Sequence, residues 1–167
     1  GYQVRRILTF LHPDENSNDY AQQMYSIMAI GSGMFKGKGL FNNSIFSVKN
    51  GNFLVEEDND FIFAVIGEEL GFLGCLFLLF LYFVLIYRAL LTAKECKEPF
   101  GMLLVTGIVA MWTFEILVNV GMTCGIMPVT GIPLPFMSYG VSALTTNMMA
   151  LAVVLSVHMR QQSAIFL

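Results

Sequence analysis

The chain has 167 residues, of which 56% are hydrophobic and only 13% are charged. An average soluble domain carries about 25% charged residues, so this composition favours a membrane protein and argues against a soluble one. The net charge of −3 provides no basic excess, and nucleic acid is therefore not expected as a partner.

Cysteine usage and the start of the chain carry further information. The three cysteines, Cys75, Cys96 and Cys124, are scattered along the sequence. Their number and spacing fit neither a disulfide framework nor a zinc site, so no metal site is predicted from them. The chain begins at Gly1 and lacks a signal-peptide pattern. We expect the N-terminal part of a longer protein to precede it.

Residues 1–60 form a polar loop that contains membrane-associated segments. Tyr20 to Met34 is apolar enough to lie on a membrane or against other helices. The string GSGMFKGKG follows, with four glycines, Lys36 and Lys38, but it lacks the spacing of a Walker loop. Two interpretations stay open. The string is either a flexible turn or a cradle of backbone amides and lysines for an anionic headgroup such as a diphosphate.

Residues 61–167 contain three predicted membrane spans, at about 61–87, 101–122 and 141–158, each near the ~20 residues that a helix needs to cross the hydrocarbon core. Four basic residues lie between the first two spans or after the third: Arg88, Lys94, Lys97 and Arg160. The loop at 123–140 carries no charge. The positive-inside rule then places residues 1–60 and 123–140 outside and the C-terminus in the cytoplasm.

Carboxylates crowd the outer end of the first span. Asp60, Ala64 and Glu68 follow one another at four-residue intervals, so Asp60 and Glu68 face one side of a helix. The dipole of a helix N-terminus accounts for Asp60 but fits Glu68 and Glu69 poorly. Carboxylates kept inside a span usually face a wet cavity or a partner.

Polar residues also interrupt the second span and the loop that follows it. Glu115 and Asn119 lie one turn apart on the same helix face. They indicate either a polar contact between helices or the lining of a cavity. The outer loop at 123–140 contains three prolines and cannot be a regular helix. Such a segment at membrane depth must be buried in protein or line a cavity, and it offers the hydroxyls of Ser138 and Tyr139.

Three strings together resemble the C-terminal part of the SEDS family, the shape, elongation, division and sporulation proteins. They are IGSG with GKG, DFIFAVIGEELGFLG, and NVGMTCGIMPVTGIPLPFMSYG. The resemblance implies an all-α polytopic membrane protein with ten helices, of which this chain holds the large extracellular loop and the last three. It also implies a peptidoglycan glycosyltransferase that polymerises lipid II outside the bacterial cytoplasmic membrane, in cell shape, division or sporulation. The chain alone is then expected to be inactive.

The resemblance also assigns roles to individual residues. The aspartate of the DFIF string, which is required for polymerisation in the family, corresponds to Asp60. Plausible substrate-binding residues are Arg6, Lys36, Lys38, Glu68, Glu115, Asn119, Ser138 and Tyr139. A divalent cation, Mg²⁺ or Mn²⁺, could bridge carboxylates and diphosphate. The sequence departs from the family pattern before Asp60, where Asp58 and Asn59 replace a His-Thr pair, and Glu115 replaces a glutamine.

The resemblance implies three partners: lipid II, membrane lipid and a class B penicillin-binding protein. Two other functions stay open at this point. Intramembrane polar residues beside a proline-broken loop would also suit a flippase or transporter of lipid-linked precursors. A non-catalytic scaffold for a penicillin-binding protein is the third possibility.

Overall fold

A computed structural model describes residues 18–40 and 59–163 of the chain. These residues form four α-helices, and no strand occurs among them. The helices are α1 (Asn18–Gly33), α2 (Ile62–Glu95), α3 (Pro99–Thr123) and α4 (Val141–Ser163). The predicted all-α membrane fold is therefore confirmed for this part of the chain. Arg6 lies outside the described residues.

Three of the helices are long and apolar enough to cross a membrane: Ile62–Glu95, Pro99–Thr123 and Val141–Arg160. The first extends well beyond the predicted end at residue 87. Arg88 and Lys94, which are predicted to lie in the loop between the first two spans, therefore lie in α2. The helix continues because Ala89 and Ala93 are buried in a core shared with α3 and α4.

The short helix α1 lies against the first part of α2, as one of the two alternatives for Tyr20 to Met34 predicts. Gly33 meets Gly67 so closely that a Cβ atom on Gly33 would stand 1.9 Å from the carbonyl oxygen of Gly67. Two glycines therefore set the distance between the helices, because small residues let helix backbones approach. Ala29 of α1 shares a buried cluster with Phe61 and Ala64.

Two further clusters hold the spanning helices together. Towards the end of α2, Ala89 and Ala93 pack with Trp112, which is fully buried, and with Val154 of α4. Nearer its start, Phe63, Cys75 and Tyr82 pack with Ile116 of α3 and with Leu134 of the proline-rich loop, residues 124–140. The part of this loop around Leu134 is thus buried in protein, which is one of the two predicted alternatives, whereas Ile126 and Tyr139 are exposed.

The remaining helix surface is apolar and exposed. Many large hydrophobic side chains point outwards, among them Phe72, Phe77, Phe83, Leu103, Phe114 and Leu155. A soluble protein rarely exposes such continuous apolar surface. The chain is therefore a membrane protein in which these faces contact lipid or other membrane helices.

Candidate functional site

Asp60, the predicted catalytic residue, lies immediately before α2 and is half-buried. Its backbone carbonyl accepts a hydrogen bond of 2.9 Å from Nδ2 of Asn119. The same Nδ2 atom donates to the carbonyl of Ile132 at 2.7 Å. One amide group on α3 therefore joins the peptide backbone at Asp60 to the proline-rich loop.

The proline-rich loop, residues 124–140, is held at several further points. The hydroxyl of Tyr82 donates to the carbonyl of Pro135 at 2.5 Å. The hydroxyl of Ser138 accepts a hydrogen bond of 2.6 Å from the backbone N–H of Leu134. Phe136 packs edge to face on Trp112, with ring centroids 5.5 Å apart. Ser138 thus shapes the loop itself, while its predicted contact with substrate stays a prediction.

Lys38 and Glu68, both predicted to bind substrate, contact each other. The ammonium group of Lys38 lies 2.6 Å from Oε1 of Glu68. The Glu68 side chain is only 2% exposed, whereas that of Lys38 is 26% exposed. A buried carboxylate in a membrane span is stable only with a partner, and Lys38 supplies one. Part of the lysine side chain still reaches the surface.

A break in α2 explains why Lys38 reaches Glu68. At Gly71 the backbone leaves the helical region, with φ 67° and ψ −164°. The backbone N–H groups of Lys38 and Gly39 donate to the carbonyls of Glu68 and Glu69, at 2.9 and 3.0 Å. In return, the N–H groups of two residues just beyond the break donate to the segment that contains Lys38. Phe72 donates to the carbonyl of Met34 at 2.8 Å, and Leu73 donates to that of Phe35 at 3.3 Å.

We call residues 34–39 the docked segment, since it completes the hydrogen bonding of the broken helix. A membrane tolerates a broken helix only where its peptide groups find partners. The segment is therefore not an unsupported turn. The N–H groups of Lys38 and Gly39 bond to α2, so a cradle for an anion at this place would depend on the lysine side chains. Lys36 is exposed.

Three buried side-chain oxygens have no hydrogen-bond partner among residues 18–40 and 59–163. They are Asn59 Oδ1, Glu115 Oε2 and Asn119 Oδ1. An unpaired buried acceptor costs about 1–3 kcal/mol. Asn59 precedes Asp60 in the chain, and Asn119 donates to the backbone carbonyl of Asp60. Two of the three oxygens therefore belong to neighbours of Asp60. They could accept hydrogen bonds from water or from the hydroxyls of a bound sugar.

The other predicted site residues are placed as follows. Tyr139 is 79% exposed at the end of the proline-rich loop. Glu115 lies within α3, one turn before Asn119. In the described part of the chain, no three histidine, cysteine or acidic side chains come together as a metal site.

Two features of the site were not predicted. One is the break at Gly71, although the glycines of the GSGMFKGKG string and of α2 are the residues that close backbone approach requires. The other is the contact of α1 with the end of α3. Gln23 donates to the carbonyls of Met122 and Met127, at 3.2 and 2.9 Å, and Ser26 donates to Thr123 at 2.9 Å. No sequence motif marks these two side chains.

Comparison with curated proteins finds relatives of known name. The chain is 40% identical over 158 residues to the peptidoglycan glycosyltransferase MrdB of Escherichia coli (strain K12), covering 94% of this chain and 42% of that protein. It is 39% identical over 161 residues to the probable peptidoglycan glycosyltransferase FtsW of Buchnera aphidicola subsp. Schizaphis graminum, covering 93% and 44%. The chain thus spans less than half the length of these relatives.

A solved structure agrees with these relatives. The chain matches a component of a peptidoglycan synthase complex that coordinates polymerization and crosslinking, with a TM-score of 0.73 and 31% identity over 96% of this chain and 42% of that one. The family described as "Cell cycle protein" (FtsW, RodA and SpoVE) matches residues 1–163. Because that match covers almost the entire chain, the chain belongs to the FtsW/RodA/SpoVE family.

Proposed function

We propose that the protein is a peptidoglycan glycosyltransferase that polymerises lipid II into glycan strands at the outer face of the bacterial cytoplasmic membrane. The proposal is supported by the names of two relatives, the peptidoglycan glycosyltransferase MrdB of Escherichia coli and the probable peptidoglycan glycosyltransferase FtsW of Buchnera aphidicola. The observation that carries the proposal is the position of Asp60. It is half-buried at the start of a membrane helix, and its backbone bonds to the amide that also holds the proline-rich loop.

In this mechanism Asp60 is the general base. Its carboxylate takes the proton from a hydroxyl of the acceptor sugar while that oxygen forms a bond to the anomeric carbon of the donor. The bond between this carbon and the diphosphate breaks, and the lipid diphosphate leaves with the electron pair. A positioned base contributes about 10²–10⁴ in rate. A carboxylate at the membrane surface suits a substrate whose headgroup is in water and whose tail stays in lipid.

Basic side chains balance the charge of the leaving diphosphate in this proposal. Lys38 is held by Glu68, yet 26% of its side chain is exposed, and in this proposal the diphosphate approaches the lysine from the exposed side. Lys36 and Arg6 are further candidates. We also propose that Mg²⁺ or Mn²⁺ assists at the diphosphate, since this cation prefers phosphate and carboxylate oxygens.

The proposed topology places the site outside the cell. Arg88 and Lys94 lie near the end of α2, and Arg160 lies near the end of α4, which assigns these ends to the cytoplasm. Asp60 and the proline-rich loop then face outwards. A class B penicillin-binding protein is the proposed partner, because a polymerase needs a transpeptidase to crosslink its product, and the matched structure comes from a complex that coordinates these two activities.

The proposal is tested with the whole protein, purified in detergent and supplied with labelled lipid II. We expect glycan strands from the parent and from the control Glu98→Ala, whose exposed side chain lies before α3 at the other end of the molecule. We expect none from Asp60→Ala. Lipid translocation without polymer would favour a transporter. Binding of the penicillin-binding protein without either activity would favour a scaffold. Equal polymer from the parent and Asp60→Ala would overturn the role of Asp60.

A further inference from the structure

Asn119 occupies an unusual position for a polar side chain. It lies in a membrane-spanning helix, and its exposed fraction is 0%. Burying an amide in an apolar environment is unfavourable unless its polar atoms form hydrogen bonds. Here both known bonds of the amide go to backbone carbonyls, those of Asp60 and Ile132. The side-chain amide therefore links the backbone at Asp60 to the backbone at Ile132.

We propose that Asn119 is a positioning residue, which acts by fixing Asp60 against the proline-rich loop and does not itself hold the sugar substrate. This inference rests on the proposed function of Asp60 and replaces the substrate-binding role that the sequence predicts for Asn119. The distinction is chemical. A substrate ligand must present an atom to the site, whereas a positioning residue needs only to hold the residue that does.

The loop backbone that Asn119 contacts at Ile132 is itself held by hydrogen bonds of neighbouring loop residues, as a positioning role requires. Ile132 begins a short stretch in which Leu134 is bonded to Ser138 and Pro135 is bonded to Tyr82 of α2. Leu134 is 1% exposed. Asn119 therefore joins Asp60 to a packed part of the molecule, not to a mobile loop. Loss of the amide would release the backbone at Asp60 from that support.

The unpaired Oδ1 atom of Asn119 is the feature that most favours the rival role. It has no partner in the described part of the chain, so a substrate hydroxyl could donate to it. The two roles predict different behaviour for Asn119→Asp. That variant keeps an acceptor oxygen for substrate but loses the two N–H donors of the amide: an ionised carboxylate repels both carbonyls, and a neutral carboxyl can donate to only one of them. A positioning role therefore predicts that Asn119→Asp lowers kcat, as Asn119→Leu does, because neither side chain can hold both carbonyls.

Kinetics on lipid II separate the two roles. We expect both Asn119 variants to lower kcat, by about a hundredfold for a base displaced by about 1 Å, with KM unchanged. The matched control is Thr113→Val on the same helix, which removes a hydroxyl that donates to the carbonyl of Val109 in that helix at 2.7 Å; its kcat should equal that of the parent. A raised KM with unchanged kcat would indicate lost substrate binding and would overturn the proposal, as would full activity in Asn119→Asp.

A measurement without any enzymatic step tests the same inference. Asp60→Cys is introduced in the whole protein after Cys75, Cys96, Cys124 and every further cysteine of that protein have been replaced by alanine. Its labelling rate is then measured with a membrane-impermeant thiol reagent. We expect Asn119→Leu to change this rate several-fold and Thr113→Val to leave it unchanged, with both proteins folded by thermal melting. An unchanged rate in Asn119→Leu would overturn the positioning role. If Asp60→Ala retains polymerase activity while the labelling rate still shifts, the proposed function fails but the positioning contact stands.

Discussion

Lys38 contacts Glu68 twice, once through its side chain and once through its backbone. Its ammonium group lies 2.6 Å from Oε1 of Glu68, and its backbone N–H donates to the Glu68 carbonyl at 2.9 Å. The backbone hydrogen bond holds Lys38 beside Glu68, so the contact of the docked segment with α2 also brings the two charged groups together. This arrangement allows the structural role of the lysine to be separated from any role in binding diphosphate.

The first prediction uses a charge exchange at this pair. Lys38→Met should destabilise the protein, because it removes a cation from a carboxylate that is 2% exposed; breaking a fully buried pair costs about 3–5 kcal/mol. The exchange Lys38→Glu with Glu68→Lys should recover thermal stability in detergent. If Lys38 also binds the diphosphate, the exchanged protein stays folded but makes little polymer. Recovery of both stability and polymer would show that the pair is purely structural.

The second prediction concerns the break in α2. Gly71→Ala forces a side chain into a left-handed conformation and brings its Cβ atom to 2.3 Å from the backbone nitrogen of Gly37. The conformational strain alone costs about 1–3 kcal/mol, so the melting temperature should fall clearly.

Gly107→Ala is the matched control for that substitution. Gly107 lies in α3, and a Cβ atom there meets nothing within 4 Å. Alanine is favoured over glycine in a helix by about 1 kcal/mol, so this variant should melt at the same temperature as the parent or slightly above it. A Gly71→Ala protein as stable as the control would contradict the broken helix.

The third prediction tests the orientation with the native cysteines. Cys124 is exposed just after α3, at the proposed outer end, whereas Cys96 follows α2 at the proposed cytoplasmic end. A membrane-impermeant thiol reagent applied to intact cells, after removal of the outer membrane where one is present, should label Cys124 but not Cys96. Cys96 should become reactive after the cells are opened. The reverse order of labelling would invert the topology and would remove Asp60 from the outer face.

The fourth prediction separates two neighbouring hydroxyls that the sequence treats alike. Ser138→Ala removes the partner of the Leu134 N–H, which lies in a buried residue, and should lower stability by about 1–3 kcal/mol. Tyr139→Phe should leave stability unchanged, since Tyr139 is 79% exposed. If Tyr139 binds substrate, its variant raises KM for lipid II instead. Thermal melting and steady-state kinetics on the two variants distinguish these effects, and equal melting losses would contradict the assignment.

The spanning helices could be predicted from the sequence because hydropathy is a local property. Any run of about 20 apolar residues needs a membrane or a large core, whatever the rest of the chain does. For the same reason hydropathy predicts a span that ends at about residue 87, whereas the helix itself continues to Glu95. Arg88 and Lys94 lower the hydropathy, but the small residues Ala89 and Ala93 continue the packing against α3 and α4.

The candidate site was harder to predict because it depends on contacts between distant residues. Charge and position single out Lys38 and Glu68, but nothing in either string shows that they bond to each other across the docked segment. Asn119 was likewise singled out by its polarity within an apolar run. Its two carbonyl partners come from backbone, which looks the same at every residue, and so the sequence carries no sign of them.

The exchange of hydrogen bonds across Gly71 also has an evolutionary consequence. Peptide groups of α2 and of the docked segment form hydrogen bonds with each other. A substitution that changes the backbone of one stretch therefore affects the other. A homologue with a continuous helix at Gly71 would lack the free peptide groups that bond to the docked segment. A homologue with a larger residue at position 37 would place its Cβ atom 2.1 Å from the carbonyl oxygen of Glu69. We therefore expect Gly37 and Gly71 to be inherited as a pair, retained together or replaced together.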